Sequence, residues 1–250
     1  MPFRIRDALP SPSNTDAKFI TSAFDSCLPH LASIGSARQW GTTPLSSSRP
    51  HFLTRHVTAI ADAEKYRLSG SGSPVRVLIA EALLPPSGEE FIPVGAATLR
   101  GGYFPQYVLD QKHLQDITSR ALAGEEGKFM FLEILVTDFS ESTKAYRKGA
   151  GAALVEYARE WAGRELGMGV MYVDCWAGNE GKLVRFYETQ GFKSVDGFVV
   201  EKPDGEKWPG MFLRMDLGNK HSDPADCLHQ LYVLLLDGYP LSMNRRQVGC

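Results

Sequence analysis

Cysteine is scarce in this chain. The four cysteines among 250 residues, Cys27, Cys175, Cys227 and Cys250, include no CxxC pair. That excludes a disulfide framework and a zinc ribbon. Of six histidines, the one close pair is His51 and His56, five apart, so an i,i+4 helical zinc pair is missing and no metal is expected. A surplus of either charge is missing too. Lys plus Arg is 27 and Asp plus Glu is 29, for a net charge of −2. A general nucleic-acid binder carries a basic face, and no cluster exceeds short pairs such as Arg245-Arg246, so nucleic acid is not expected as a partner. Long apolar runs are absent. The longest, Leu231 to Leu236, falls far short of the roughly 20 residues that span a bilayer. The opening MPFRIRDALPSPSNTD has no apolar signal-peptide core. The expectation is a soluble, cytoplasmic protein with reduced thiols and no membrane partner.

Apolar residues make up 43% and charged residues 22%, the balance of a folded domain. A chain this long buries about 70% of its unfolded surface, so it needs no staples.

Hydrophobic periodicity predicts the elements. Phe3–Leu9 reads as a strand. Helices are expected over Asp16–Leu31, with Asp16 as N-cap, and over Pro50–Leu68. The loop between them, Gly35–Pro50, carries Trp40. Val75–Leu83 and Pro93–Arg100 read as strands around a turn at Pro85–Glu90. Gly101–Lys128 reads as irregular or partly helical. Phe129–Val136 is nearly all apolar, a central strand, and a polar loop leads to a helix over Gly149–Leu166. Val170–Trp176 is a second buried strand. Gly181–Gln190 is a short helix closed by Gly191. Phe192–Glu201 and Met211–Leu217 close the pattern as strands. The order implies an α/β fold: one mixed sheet with helices on both faces. Residues 218–250 open on a polar linker and read as an appended segment after a 1–217 domain. Leu231–Leu236 there is costly to leave exposed, which argues for exchange between two copies, a homodimer.

The richest stretch in chemistry runs from Phe129 to Phe192. A buried strand leads through a loop into Arg147-Lys148-Gly149-Ala150-Gly151, which opens a long helix. Glycines at a helix start admit a phosphate close to backbone N–H groups, and the helix dipole favours the anion. The plain alternative is a tight turn that needs glycine for positive φ. A P-loop would require Gly-Lys-Ser/Thr, and none is present. A dinucleotide fingerprint would need Gly or Ala where Leu154 stands, and its turn would be tight, whereas twelve residues separate Val136 from Gly149.

Further on, Asn179 to Phe192 reads NEGKLVRFYETQGF, a Phe-Tyr pair in a short helix before Gln-Gly-Phe. Together with the Gly149-Ala150-Gly151 loop and the two apolar strands, this resembles the GNAT N-acetyltransferase superfamily. The resemblance covers residues 129–192 closely and the flanking elements more loosely. Two departures stand out. Tyr146 occupies the place of the family's Arg or Gln, with Arg147 one position late. Asn179 lies eight residues before Tyr187, where seven is usual.

The resemblance implies a GNAT-like sheet with a splayed cofactor cleft, and acetyl transfer from acetyl-CoA to a primary amine of a small molecule or amino acid in a ternary complex. Arg147, Lys148, Gly149, Ala150 and Gly151 would take the pyrophosphate, with Asn179 or Glu180 facing the cofactor. The backbone of Leu135, Val136 and Thr137 would hold the pantetheine arm or polarise the thioester. Glu133, a lone carboxylate in an apolar strand, would assist amine deprotonation through water; the alternative is an ion-paired or solvent-facing residue. Tyr187 would protonate the leaving thiolate; the alternative is a packed core tyrosine. An acyl-enzyme on Cys175 would need a base, and no nearby histidine is evident. Gln39 and Trp40 are the candidates for the acceptor pocket, Trp40 equally as a core anchor. The other readings are a non-catalytic acyl-CoA-binding module of the same fold and transfer to a hydroxyl or hydrazine.

Overall fold

The computed structural model describes residues 3–85, 90–202 and 205–218. The expected appended segment therefore lies outside the described residues beyond Gly218, as does part of the turn at Pro85–Glu90. Seven strands, β1 (Phe3–Asp7), β2 (Val75–Leu83), β3 (Phe91–Gly101), β4 (Phe129–Thr137), β5 (Val170–Trp176), β6 (Lys193–Glu201) and β7 (Lys207–Asp216), form one sheet in the order β1-β2-β3-β4-β5-β7-β6. Neighbours are antiparallel except β4 and β5, which are parallel. Both are covered on both faces, which is why their sequences are near-continuous apolar runs rather than alternating ones.

Helix α6 (Ala150–Glu160), extended by a π-helical turn at Trp161–Glu165, and helix α7 (Gly178–Thr189) pack on one face. There Met130 and Leu132 of β4 and Met171, Val173 and Cys175 of β5 meet Leu154, Val155, Val184 and Tyr187. The alternate residues face the other side. Over β2 and β3 that side is covered by α1 (Thr15–Ser33) and α3 (Phe52–Ser69), with Phe24, Ile60, Val77 and Ile79 at the centre. Over β4, β5 and β7 it carries an aromatic cluster of Phe104, Phe129, Phe131, Tyr172 and Phe212. Tyr172 and Phe212 stack at 5.2 Å, and Phe104 lies 4.5 Å from Phe129.

The stretch Gly101–Lys128 resolves into α4 (Gln106–Leu109), a 3-10 turn and α5 (Gln115–Ala123), held by that aromatic cluster. A short helix, α2 (Leu45–Ser48), interrupts the loop after α1. Asp16 is not the N-cap of α1. Asn14 takes that position in the left-handed region at φ 53°. Asp16 sits in the first turn, where it accepts two hydrogen bonds from Arg6, at 2.7 and 2.9 Å, and one from the Leu9 N–H. A guanidinium clamp with a buried backbone donor outcompetes a cap hydrogen bond.

Gly210 of β7 leaves room for the Phe198 ring of β6, since a Cβ there would stand 2.3 Å from the ring. Gly210→Ala is expected to displace Phe198 and cost about 1–3 kcal/mol, read as a lower melting temperature. An unchanged melting temperature would show that the ring moves freely.

Candidate active site

Parallel pairing of β4 with β5 covers only Phe129–Leu132 against Val170–Val173. Beyond it β4 stays with β3 and β5 stays with β7, so the two strands part. A register slip at Thr98/Leu99 helps: Ile134 faces Thr98 and Leu132 faces Leu99, leaving Glu133 as the extra residue of a bulge. The gap opens into a cleft of about 780 Å³, the size of a small-molecule site. Leu135, Val136 and Thr137 line it along the β4 edge released from β5.

At one end of the cleft stands the start of α6. Gly149 caps it with φ 93°, a left-handed conformation that requires glycine. Gly151 has no such φ. A Cβ there would lie 3.5 Å from the Phe186 ring, on the cleft wall. The tight-turn reading therefore explains Gly149 and leaves Gly151 to be explained by access. Arg147, Lys148 and Lys144 line this end. The Arg147 guanidinium lies 4.3 Å from the Phe139 ring centre and donates to the Ser140 carbonyl. His30 stacks on the same Phe139 ring, with centroids 4.3 Å apart. Burial, then the charge of Arg147, lowers the His30 pKa, so its neutral ring supports the stack. Tyr146 packs against the core instead of entering the cleft. The residue one position late thus holds the cationic place. Ala150 is fully buried behind the loop and does not line the cleft.

Tyr187 reaches the cleft from the α7 side. Its ring is fixed edge-on by Phe186 at 5.2 Å and Phe192 at 5.6 Å. Burial pushes its phenol well above the usual range, with Cys175 and Asp174 adding to the effect, so the proton stays on at neutral pH. Among the described residues no hydrogen-bond partner holds the hydroxyl. Cys175 also lines the cleft, but burial pushes its thiol far up, and it remains protonated. That removes the thiolate an acyl-cysteine would need.

Glu133 lies on the cleft floor with both carboxylate oxygens occupied. Arg55 of α3 binds Oε1 at 2.5 Å and Arg100 of β3 binds Oε2 at 2.6 Å. The ion-paired alternative describes this geometry. The next strand offers a second carboxylate that the sequence reading passed over. Asp174 is the first residue of β5 past the last pair, as Glu133 is of β4. Asp174 accepts from the Tyr107 hydroxyl of α4 at 3.0 Å and from its own backbone N–H. Burial pushes its carboxyl up to about 6, against the downward pull of Tyr107. The signal was available: Asp174 is the one charge in VMYVDCW, as Glu133 is in FMFLEILV.

Gln39 and Trp40 both line the cleft. Trp40 is wall and anchor at once, since it also packs edge-on against Phe24 at 5.3 Å. The Gln39 carbonyl accepts from the Trp208 indole at 3.1 Å, joining the α1–α2 loop to β7. Asn179 is elsewhere. It begins a left-handed run, Asn179 to Gly181, and its amide donates to Ile34 and Ser36 at 2.8 and 2.7 Å. It ties α7 to the end of α1 and is not among the cleft-lining residues. Among the described residues, no group of three or more His, Cys, Asp or Glu is arranged to hold a metal, and no helix is long and apolar enough to cross a membrane.

No protein-family model matches the chain, and no curated protein matches its sequence significantly. Solved structures do match the fold. Ribosomal-protein-S5-alanine acetyltransferase from Vibrio fischeri superposes with a TM-score of 0.52 at 10% identity, covering 87% of this chain and 94% of that one. An acetyltransferase of the GNAT family from Listeria monocytogenes 4b F2365 gives 0.50 at 19% identity, covering 86% and 94%. The seven-stranded mixed sheet with its helices thus has a GNAT-like α/β fold.

Proposed function

We propose that the protein is an acyl-CoA-dependent N-acyltransferase that moves an acetyl group from acetyl-CoA to the primary amine of a small molecule or amino acid, by direct transfer in a ternary complex. The observation that carries this reading is the parting of β4 and β5 at Leu132 and Val173. The glycine-started α6 and Tyr187, whose hydroxyl is unpartnered among the described residues, line the same cleft. Arg147 and Lys148 supply positive charge where the dipole of α6 favours an anion, which suits a pyrophosphate. The β4 edge of Leu135 to Thr137, released from β5, offers backbone groups to an amide-bearing arm or a thioester carbonyl. Tyr187 keeps its proton at neutral pH and can deliver it to a departing thiolate.

Purified protein incubated with acetyl-CoA and panels of amines, amino acids and peptides should release free thiol in an amine-dependent manner. Binding of acetyl-CoA with no thiol release against any panel would instead favour the non-catalytic acyl-CoA-binding module. Gly151→Val places a branched side chain on the cleft wall beside Phe186. Calorimetry should show acetyl-CoA binding weakened at least tenfold in the folded variant, about 1.4 kcal/mol. Unchanged affinity would place the pyrophosphate elsewhere.

A further inference from the structure

The two strands that part carry one carboxylate each at the first unpaired position, and the fold treats them differently. Glu133 is saturated by Arg55 and Arg100. Asp174 has only neutral donors, the Tyr107 hydroxyl and its own backbone N–H. Both line the cleft, and both strands are otherwise apolar there. Both oxygens of Glu133 already accept from a guanidinium, Arg55 on one and Arg100 on the other, which leaves little room for an incoming N–H. A carboxylate with a phenol and one backbone N–H as partners keeps lone pairs for an incoming N–H.

Resting on the acyl-transfer reading, we propose that Asp174 is the carboxylate that receives the acceptor's ammonium group and takes its proton, with Tyr107 as its positioning residue. Asp174 and Tyr187 then work from opposite sides of the opened sheet. Asp174 pairs with α4, on the face covered by the aromatic cluster, and Tyr187 belongs to α7 on the other face. The ammonium gives one proton to an Asp174 carboxylate oxygen. The freed amine lone pair attacks the thioester carbonyl carbon, the C–N bond forms and the C–S bond breaks. The nitrogen loses its second proton and the sulfur gains one, supplied by Tyr187, which is reprotonated from the nitrogen's proton through water. Asp174 finally releases its proton to solvent. The sum is ammonium plus thioester giving amide, thiol and one proton.

The groups facing Asp174 leave it as the ionising centre near neutrality. Tyr107 comes from α4, Tyr103 from the segment before it, Cys175 from β5 and Tyr187 from α7. All four are pushed upward by burial and stay neutral. From β7 the residue opposite is Phe212. On β4, Glu133 has its charge met by Arg55 and Arg100. A carboxyl raised to about 6 is mostly ionised at pH 7 and close enough to the medium to exchange protons readily.

Aromatic rings extend the site away from the carboxylate. Tyr107 stacks with Phe198 at 6.2 Å, Phe198 lies 6.2 Å from Trp208, and Trp208 bonds the Gln39 carbonyl. Tyr107, Trp208 and Trp40 all line the cleft. An arylalkylamine such as 2-phenylethylamine suits one carboxylate among aromatic faces, since rings attract an ammonium electrostatically.

The test uses the full chain, 2-phenylethylamine and acetyl-CoA. In the wild type, kcat/KM should rise with pH along an acid limb near 6. Asp174→Asn should lower kcat/KM roughly 10²–10⁴-fold, the usual scale for a lost general base, and abolish that limb. Tyr107→Phe should move the limb to higher pH, because it removes a hydrogen bond that favours the ionised carboxylate. Asp174→Asn is expected to fold. A carboxyl with a raised native pKa favours the native state at low pH and loses that contribution as pH rises through the native value, so replacing it at pH 7 removes a liability. A second readout needs no turnover. With ¹³C-labelled aspartate, one carboxyl should titrate near 6, shift upward in Tyr107→Phe, vanish in Asp174→Asn, and titrate lower when 2-phenylethylammonium is added. If that titration appears while no amine is acetylated, the ammonium site stands and the transfer reading falls. A limb or resonance unmoved in both variants, or a carboxyl indifferent to the amine, overturns the assignment whatever the turnover.

Discussion

Tyr187→Phe is expected to cut the acetyl-transfer rate roughly 10²–10⁴-fold while leaving the protein's melting temperature almost unchanged. The two halves of that expectation come from different features. The ring is buried and clasped by Phe186 and Phe192, and phenylalanine preserves those contacts. The hydroxyl has no hydrogen-bond partner among the described residues, so its removal breaks no bond within the fold. Chemistry is a separate matter. A thiolate leaving into a water-poor cleft gains from a donor already in place, and a phenol and a CoA thiol have ordinary pKa values near 10 and roughly 8.5–10. Burial raises the phenol further, which keeps it protonated across the working pH range. Steady-state kinetics with saturating acetyl-CoA would measure the loss, and calorimetry should show acetyl-CoA affinity within a few-fold of the wild type. Near-wild-type turnover would mean that water protonates the thiolate and that Tyr187 serves packing alone.

Glu133→Gln is expected to act mainly on stability. The Glu133 side chain is 6% exposed, Arg100 22% and Arg55 52%. A neutral amide keeps the shape but leaves Arg100 facing a group that no longer carries charge. Breaking a fully buried pair costs about 3–5 kcal/mol. Arg55 is half in water and recovers much of its hydration. A loss of about 2–3 kcal/mol follows, or a fall of roughly 5–10 °C in the melting temperature of a chain this size. Activity should drop with the distortion of the bulge, by a factor that does not vary with pH, because the proton acceptor is placed on Asp174. Scanning calorimetry and a pH–rate profile of the same variant separate the two effects. A stable variant that loses its acid limb would return the base to Glu133.

The same pair of residues shows where sequence reading stops. Local periodicity sufficed for β2 and β5, whose limits of Val75–Leu83 and Val170–Trp176 coincide with the apolar runs. It sufficed for α6, since the left-handed Gly149 cap and the Leu154, Val155 and Ala158 face are written into consecutive residues. The motif from Phe129 to Phe192 was enough to expect a splayed mixed sheet and to place Tyr187 at its opening. What neighbours in space supply was out of reach. Arg55 lies 78 residues from Glu133 and Arg100 lies 33 away, so nothing in FMFLEILV announces a double ion pair. The family resemblance turned Asn179 toward the cofactor. In the fold it takes a left-handed turn that asparagine tolerates, and its amide serves Ile34 and Ser36, 145 and 143 residues away.

Sequence alone therefore determined the seven strands, the longer helices and the glycine that starts α6. These depend on side-chain period and on backbone preference, which are properties of adjacent residues. Only the tertiary structure showed how differently the two lone carboxylates are partnered. That depends on where parallel pairing ends, at Leu132 and Val173, and on which donors the opposite face brings to each: two guanidiniums to Glu133 and a single phenol to Asp174. A carboxylate's availability is set by the charges and hydrogen bonds around it, and those arrive from residues far away in the chain.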